Sequence, residues 1–265
     1  ENFRPGVARR LGIDWETLSA VDPRLVYVSI SGFGQTGPWA DRPGFDLIAQ
    51  AMAGILSVTG TPGGEPVKCG VPISDLAAGL YGAVGALAAL THRDRSGQGQ
   101  HVDTSLFEAA LGLSVWESTE YWATGNVPRA LGSAHRLQAP YQALRTADGW
   151  LVVAALTPGQ WTGLCGALGR PALADDPRFA TNPARMANLP ALVEELESAL
   201  AERPTDAWVE RLLATGVPAA PLHDYAQVFA DPHTHARRMV EEVEHPVEGT
   251  IRTLGFPLKM SATPL

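Results

Sequence analysis

This sequence has little of what several common chemistries require. Its 265 residues hold only two cysteines, Cys69 and Cys165, and no CxxC pair, so neither a disulfide framework nor a thiolate metal site is indicated. Both thiols are expected to be structural, in a reducing, cytoplasmic compartment. No histidine stands near Cys69 in sequence to activate it as a nucleophile. The seven histidines are scattered, and HExxH, GxSxG and acidic triplets with metal spacing are absent. That argues against a metal enzyme and a serine hydrolase. His233 and His235, after Asp231-Pro232, read as solvent-facing residues. Positive charge is also short: the net charge is −8, which argues against nucleic-acid partners. The longest apolar run, Leu76–Leu90, is too short and too rich in Gly and Ala for a convincing membrane span. No secretory signal is visible.

What is present describes a globular protein with a substantial core, 45% hydrophobic and 18% charged. Asp14 with Glu16 opens a short helix. Leu25–Ile30 reads as a central, parallel strand. It runs into the glycine-rich Ser31-Gly-Phe-Gly-Gln-Thr-Gly-Pro38, the position at which open α/β sheets hold ligands. That loop is not GxGxxG, so a dinucleotide site is weakly supported. Helical spacing covers Phe45–Ser57, and Gln100–Leu106 is a strand or the start of a helix that continues to about Trp122. Residues 123–138 read as a linker rich in Gly, Pro, Arg, Ser and His. Beyond it, Tyr141–Arg145 and Trp150–Leu156 flank a Thr-Ala-Asp-Gly turn, a hairpin signal. Helices are expected at Gln160–Leu168, Leu189–Ala201 and Thr205–Ala214. The last would be capped by Thr205 or Asp206, with Trp208, Val209, Leu212 and Leu213 inward. Pro218–Leu222 reads as a strand, Tyr225–Phe229 as a helix, and Met239–Val243 and Thr250–Leu254 as a strand pair.

Gly70-Val-Pro-Ile-Ser-Asp75-Leu-Ala-Ala-Gly79 puts a carboxylate where a buried helix begins. Two readings stand. Ser74 or Asp75 caps the helix, or Asp75 is a nucleophile favoured by the helix dipole and free amides. Arg4, Arg9, Arg10 and Arg42 gather in the first fifth of an acidic chain. They are either solvated surface or guanidinium forks for phosphate groups.

The ordered set of motifs resembles family III CoA-transferases, the group that includes formyl-CoA and carnitine CoA-transferases. It begins with Glu1-Asn-Phe-Arg-Pro-Gly6 and Arg10-Leu-Gly12 and runs through the Ser31–Pro38 loop, Arg42-Pro-Gly-Phe-Asp46 and Gly70–Asp75. It continues through Gly97-Gln-Gly-Gln-His-Val-Asp103, Pro140-Tyr-Gln142, Thr146–Gly149 and Gly216-Val-Pro218. The resemblance implies an α/β fold with a Rossmann-like large domain, incomplete here, and a smaller α+β domain. Residues 1–122 would be part of the large CoA-binding domain, 123–138 the linker, 139–235 the small domain and 236–265 a return segment. It also implies an interlocked homodimer, and further residues before Asn2 and after the last.

The resemblance further implies that Asp75 is the catalytic aspartate, passing through a mixed anhydride and an aspartyl-CoA thioester. Asn2, Phe3, Arg4, Arg10, Arg42 and Phe45 would contact CoA. Acyl-CoA and a small carboxylic acid would be the substrates, with no tightly bound cofactor, no metal, no nucleic acid and no membrane partner. The wording around Asp75 and Gly132-Ser-Ala-His135 is most like succinyl-CoA:glutarate-type enzymes. Ala155–Gln160 carries one glycine where formyl-CoA transferases carry a glycine run. His135 or Arg136 would hold a distal carboxylate or simply belong to the linker surface. Two alternatives remain: a 2-methylacyl-CoA racemase, which needs histidine where Phe45 stands, and a non-catalytic CoA-binding homologue.

Overall fold

The computed structural model describes residues 1–263, so the last two positions of the 236–265 segment lie outside the described residues. The chain divides into two compact units, Glu1–Ser133 and Ala134–Leu265.

In the first unit, short helices α1 (Val7–Leu11) and α2 (Trp15–Val21) precede strand β1 (Val26–Ser31). Asp14 caps α2, its carboxylate accepting from the Thr17 amide at 3.1 Å. Then come α3 (Asp46–Met52), α4 (Ile55–Val58), the long α5 (Ile73–Ser96), β2 (Gln100–Ser105), α6 (Leu106–Gly112) and α7 (Val115–Thr124). β1 and β2 run parallel in register from Val26↔Gln100 to Ser31↔Ser105. On the other edge of β1, Glu1 donates to the Val28 carbonyl and accepts from the Ile30 amide. The helical stretch expected over Phe45–Ser57 is broken into α3 and α4. Gly54 stands between them at φ 85°, a left-handed conformation that ends one helix and starts the next. Likewise β2 hands over to α6 at Ser105, whose hydroxyl accepts from the Glu108 amide.

α5 meets the sheet with its smallest residues. Ala78, Gly82 and Ala89 are buried along one face, at the i, i+4, i+11 positions of a helical stripe. A Cβ on Gly82 would stand 2.9 Å from Ile30 Cδ1, and one on Gly85 would stand 2.5 Å from Val102 Cγ1. A helix-interior glycine costs about 1 kcal/mol relative to alanine, and here that cost is offset by close approach of helix to strand. The large apolar side chains lie on the opposite side, with Leu80, Val84 and Leu87 each more than 60% exposed. By length and composition alone α5 could cross a bilayer, but its small-residue face is packed against β1 and β2.

The second unit has a three-stranded antiparallel sheet of β3 (Tyr141–Arg145), β4 (Trp150–Ala154) and β5 (Ala219–Pro221), in the order β3-β4-β5. The Thr146–Gly149 hairpin forms as expected, with Arg145 opposite Trp150. Around the sheet pack α8 (Pro158–Ala167), a 3-10 turn at Pro171–Ala174, α9 (Asn182–Ala187), α10 (Leu189–Leu200) and α11 (Thr205–Ala214). Leu144, Leu151, Trp161, Leu192, Leu196 and Trp208 fill the core. The Trp208 indole donates to the Leu200 carbonyl at 2.8 Å. Arg185, buried, donates to the carbonyls of Ala139 and Phe179 and lies 4.9 Å over the Trp161 ring.

Two expectations for α11 need correcting. Neither Thr205 nor Asp206 caps it: Pro204 occupies the cap position, and the carboxylate of Asp148 in the hairpin turn accepts from the Thr205 amide at 2.8 Å. Leu213 points outward, 56% exposed, while Trp208 and Leu212 face the core. The chain ends in α12 (Tyr225–Ala230), α13 (Pro232–Ala236) and an antiparallel pair, β6 (Val240–His245) and β7 (Gly249–Leu254). His233 and His235 lie exposed on α13.

The glycine contacts give a stability prediction. Gly85→Ala forces a methyl group into Val102, and overpacking of this kind costs about 1–3 kcal/mol, more than the helix propensity it gains. A guanidinium melt should show a lower midpoint; an unchanged or higher midpoint would contradict the packing described for α5 and β2.

Candidate active site

The residues singled out in the sequence converge, in the first unit, on one cavity of about 510 Å³. Asn2, Phe3 and Arg4 line it from the segment before α1, and Ile30, Ser31 and Gly32 from the end of β1. Arg42 to Phe45 line it from the approach to α3, and Asp75 and Gly79 from the first turns of α5. Arg10 departs from the expectation. It lies exposed on α1 and does not line this cavity; its guanidinium folds back toward Gly6, 3.9 Å from where a Cβ would stand on that glycine.

Close backbone contact shapes the cavity wall. A Cβ on Gly32 would stand 2.8 Å from Gly44 Cα, and one on Gly44 would stand 2.6 Å from Gly32 Cα. Only two glycines let the Ser31–Pro38 loop lie this close to the Arg42–Phe45 segment. The loop is held from beneath. Gly34 donates to Ser31 Oγ at 2.9 Å, Gln35 donates to Asp103 Oδ2 at 3.0 Å, and the Phe107 amide donates to the Gly32 carbonyl at 3.2 Å. Phe33, Trp39 and Phe107 meet edge-on and tilted, with centroids 5.6–6.1 Å apart. The Arg42 guanidinium lies 5.0 Å over the Trp39 ring.

The start of α5 decides the capping question at Asp75. Pro72 takes the cap position with no side-chain cap, so Ser74 and Asp75 both lie within the first turn and neither caps the helix. The capping acceptor comes from α3. Asp46 Oδ1 accepts from the Ser74 amide at 2.9 Å, and its Oδ2 accepts from Gln50 Nε2 at 2.7 Å. Gln50, fully buried, in turn accepts from the Cys69 amide at 2.9 Å through Oε1. Among the described residues, the Asp75 carboxylate has no hydrogen-bond partner. Partial desolvation and, second, the neighbouring Asp46 carboxylate push its pKa above the usual carboxylate value. Asp46 and Gln50 escaped the sequence reading. The signal for Asp46 was present only as the last residue of Arg42–Asp46.

Burial pushes the Cys165 thiol up to about 12 and Cys69 donates its amide to the Gln50 side chain. Among the described residues no three of His, Cys, Asp and Glu gather as a metal site. In the second unit, His135 stacks on Tyr141 at 4.9 Å and accepts from the Leu137 amide through Nδ1. The Asn182 side chain bonds both Leu137 and Ala139, so the loop carrying His135 and Arg136 is tied to α9.

Chemically, the cavity pairs an uncapped carboxylate with two guanidinium groups, two aromatic rings and glycine backbone. That suits an anionic ligand with a reactive carbonyl carbon.

Comparison with known proteins places this site in context. The family model for CoA-transferase family III matches residues 1–265. A succinate–glutarate CoA-transferase of Agrobacterium fabrum is 40% identical over 270 residues, covering 100% of this chain and 66% of that protein. An acetyl-CoA:oxalate CoA-transferase of Acetobacter aceti is 40% identical, covering 98% of this chain and 66% of that protein. A crystal structure of a CAIB/BAIF family protein from Brucella suis superimposes with a TM-score of 0.85 at 41% identity, covering 100% of this chain and 68% of that one. The chain thus spans just under two thirds of the length of these two curated relatives.

The raised pKa of Asp75 carries a stability signature. A carboxyl that titrates higher when folded than when unfolded favours the fold fully below the unfolded value, about 3.9, and loses that contribution as pH rises through the folded value. Asp75→Asn is therefore expected to melt at a higher temperature than wild type at pH 7 and to lose that advantage near pH 3. Equal advantage at both pH values would rule out a perturbed Asp75.

Proposed function

Because the chain belongs to CoA-transferase family III, we propose that it moves CoA from an acyl-CoA to a carboxylic acid, with Asp75 as nucleophile. Succinyl-CoA is the proposed donor and a dicarboxylate the proposed acceptor. The observation that carries this is the convergence of Asp75, Arg4, Arg42, Phe3, Phe45 and Asn2 on one cavity. The names of the relatives, which pair succinate with glutarate and acetyl-CoA with oxalate, support a dicarboxylate.

In this reading the Asp75 carboxylate attacks the thioester carbon and the C–S bond breaks, giving an aspartyl–acyl mixed anhydride and CoA thiolate. The thiolate then attacks the aspartyl carbonyl and expels the donor acid as its carboxylate, leaving an aspartyl-CoA thioester. The acceptor carboxylate runs the two steps backwards and regenerates Asp75. Each step exchanges one acyl bond for another, so no proton need be delivered and no cofactor is consumed. Arg4 and Arg42 hold the phosphates of CoA, for which guanidinium forks are suited. Phe3 and Phe45 flank the adenine or pantetheine, and glycine amides of the Ser31–Pro38 loop face the developing oxyanion. Arg10, exposed on α1, contacts CoA outside the cavity.

Residues 1–122 act as part of a Rossmann-like CoA-binding domain and residues 139–235 as the smaller domain. A homodimer would cover the exposed Leu80, Val84 and Leu87 face of α5. Phe45 argues against the racemase alternative, since a phenyl ring cannot carry a proton between substrate faces.

Incubating the full-length protein with succinyl-CoA and weighing the peptide that contains Asp75 tests the reading. An acyl or CoA adduct is expected on Asp75 and none in Asp75→Ala, with turnover down on the order of 10³-fold or more. Exchange of an α-proton in a 2-methylacyl-CoA without any adduct would point to racemisation. Neither signal would leave a non-catalytic CoA binder.

A further inference from the structure

α5 contains three glycines, and the structure accounts for two of them. Gly82 and Gly85 let the helix approach Ile30 and Val102, where a Cβ would collide. Gly79 has no such reason: a Cβ built there meets no heavy atom within 4 Å. Nor does its backbone need glycine, since it sits in regular helix outside the positive-φ glycines. On propensity alone alanine would be preferred at this position.

Its surroundings supply the explanation. Gly79 lines the same cavity as Asp75, one helical turn further on. Residues i and i+4 share a face, and every Cα–Cβ bond tilts toward the helix N-terminus. A side chain at 79 would therefore grow back over the Asp75 carboxylate, into the cavity. We propose that Gly79 is a specificity-determining position, its missing side chain keeping open the space above Asp75 that receives the acyl group of the donor or the carbon chain of the acceptor. This rests on the reading of Asp75 as the nucleophile and adds the part of the site that limits acyl size. The class of substrate that needs the space is an acid with several carbons beyond the reacting carboxyl, as in a succinyl group. A two-carbon acetyl group needs less of it.

The test compares Gly79→Ala and Gly79→Leu with Gly166→Ala in the full-length protein. Gly166 is an exposed glycine of α8 whose added Cβ also meets nothing within 4 Å. Aspartyl adduct formation is followed with succinyl-CoA and with acetyl-CoA, and each variant is melted. Gly79→Ala should raise the melting temperature by a few degrees, as Gly166→Ala does, because both restrict the unfolded chain without a clash. Only the position-79 variants should change selectivity. The ratio of kcat/KM for succinyl-CoA over acetyl-CoA should fall about tenfold in Gly79→Ala, the scale of one added methyl group in a pocket, and further in Gly79→Leu. A higher melting temperature with an unchanged ratio overturns the inference and leaves the transferase reading standing. A lower melting temperature in Gly79→Ala also overturns it, since the space would then be filled in the whole protein. No adduct in wild type removes both readings together.

Discussion

The hydrogen bond from the Ser74 amide to the Asp46 carboxylate, spanning 28 positions of sequence, is the contact on which the site depends. It supplies α5 with the acceptor its own proline cap lacks. Had Asp75 met that need itself, as such residues usually do, its carboxylate would have been turned back onto its own backbone. Capping from α3 leaves it without a partner among the described residues, at the edge of a cavity. Partial desolvation makes the Asp75 carboxylate more basic, and the second negative charge that this bond fixes nearby adds to the effect. Gln50 and the Cys69 amide extend the arrangement inward, so that the acceptor is itself held in place.

Around this contact the cavity is made largely by what is missing. Paired glycines at 32 and 44 let two loops approach to backbone distance, and Gly82 and Gly85 let α5 settle on β1 and β2. Gly79 then leaves room beside the proposed nucleophile. These absences carry a cost in chain entropy. What results is a wall thin enough for arginine, aromatic and carboxylate groups from separate segments to share one space.

Much of this was legible. Local signals named Asp14 as a cap, the Thr146–Gly149 hairpin and the start of β1, because each is settled by residues within a few positions of one another. The ordered motifs named the cavity residues, Arg10 excepted, and the family model matches the whole chain. What the sequence hid was non-local. Both α5 and α11 begin after a proline and take their capping carboxylates from afar, Asp46 and Asp148. A reading that looks for the cap beside the helix must therefore choose Ser74, Asp75, Thr205 or Asp206. The apolar run of α5 was equally ambiguous. Its composition suggests a helix buried all round, yet only the small-residue face of Ala78, Gly82 and Ala89 is packed and Leu80, Val84 and Leu87 stand exposed; nothing in the composition says which face meets the sheet.

The most direct test of this account is a carbon-13 titration of the Asp75 carboxyl in the full-length protein, in wild type and in Asp46→Asn. The substituted side chain keeps an oxygen that can accept from the Ser74 amide but carries no charge. The account predicts that Asp75 titrates above the ordinary carboxylate range in wild type and moves part of the way down in the variant, with desolvation keeping the remainder. An Asp75 that titrates in the ordinary range, or one that ignores the loss of the Asp46 charge, would contradict it.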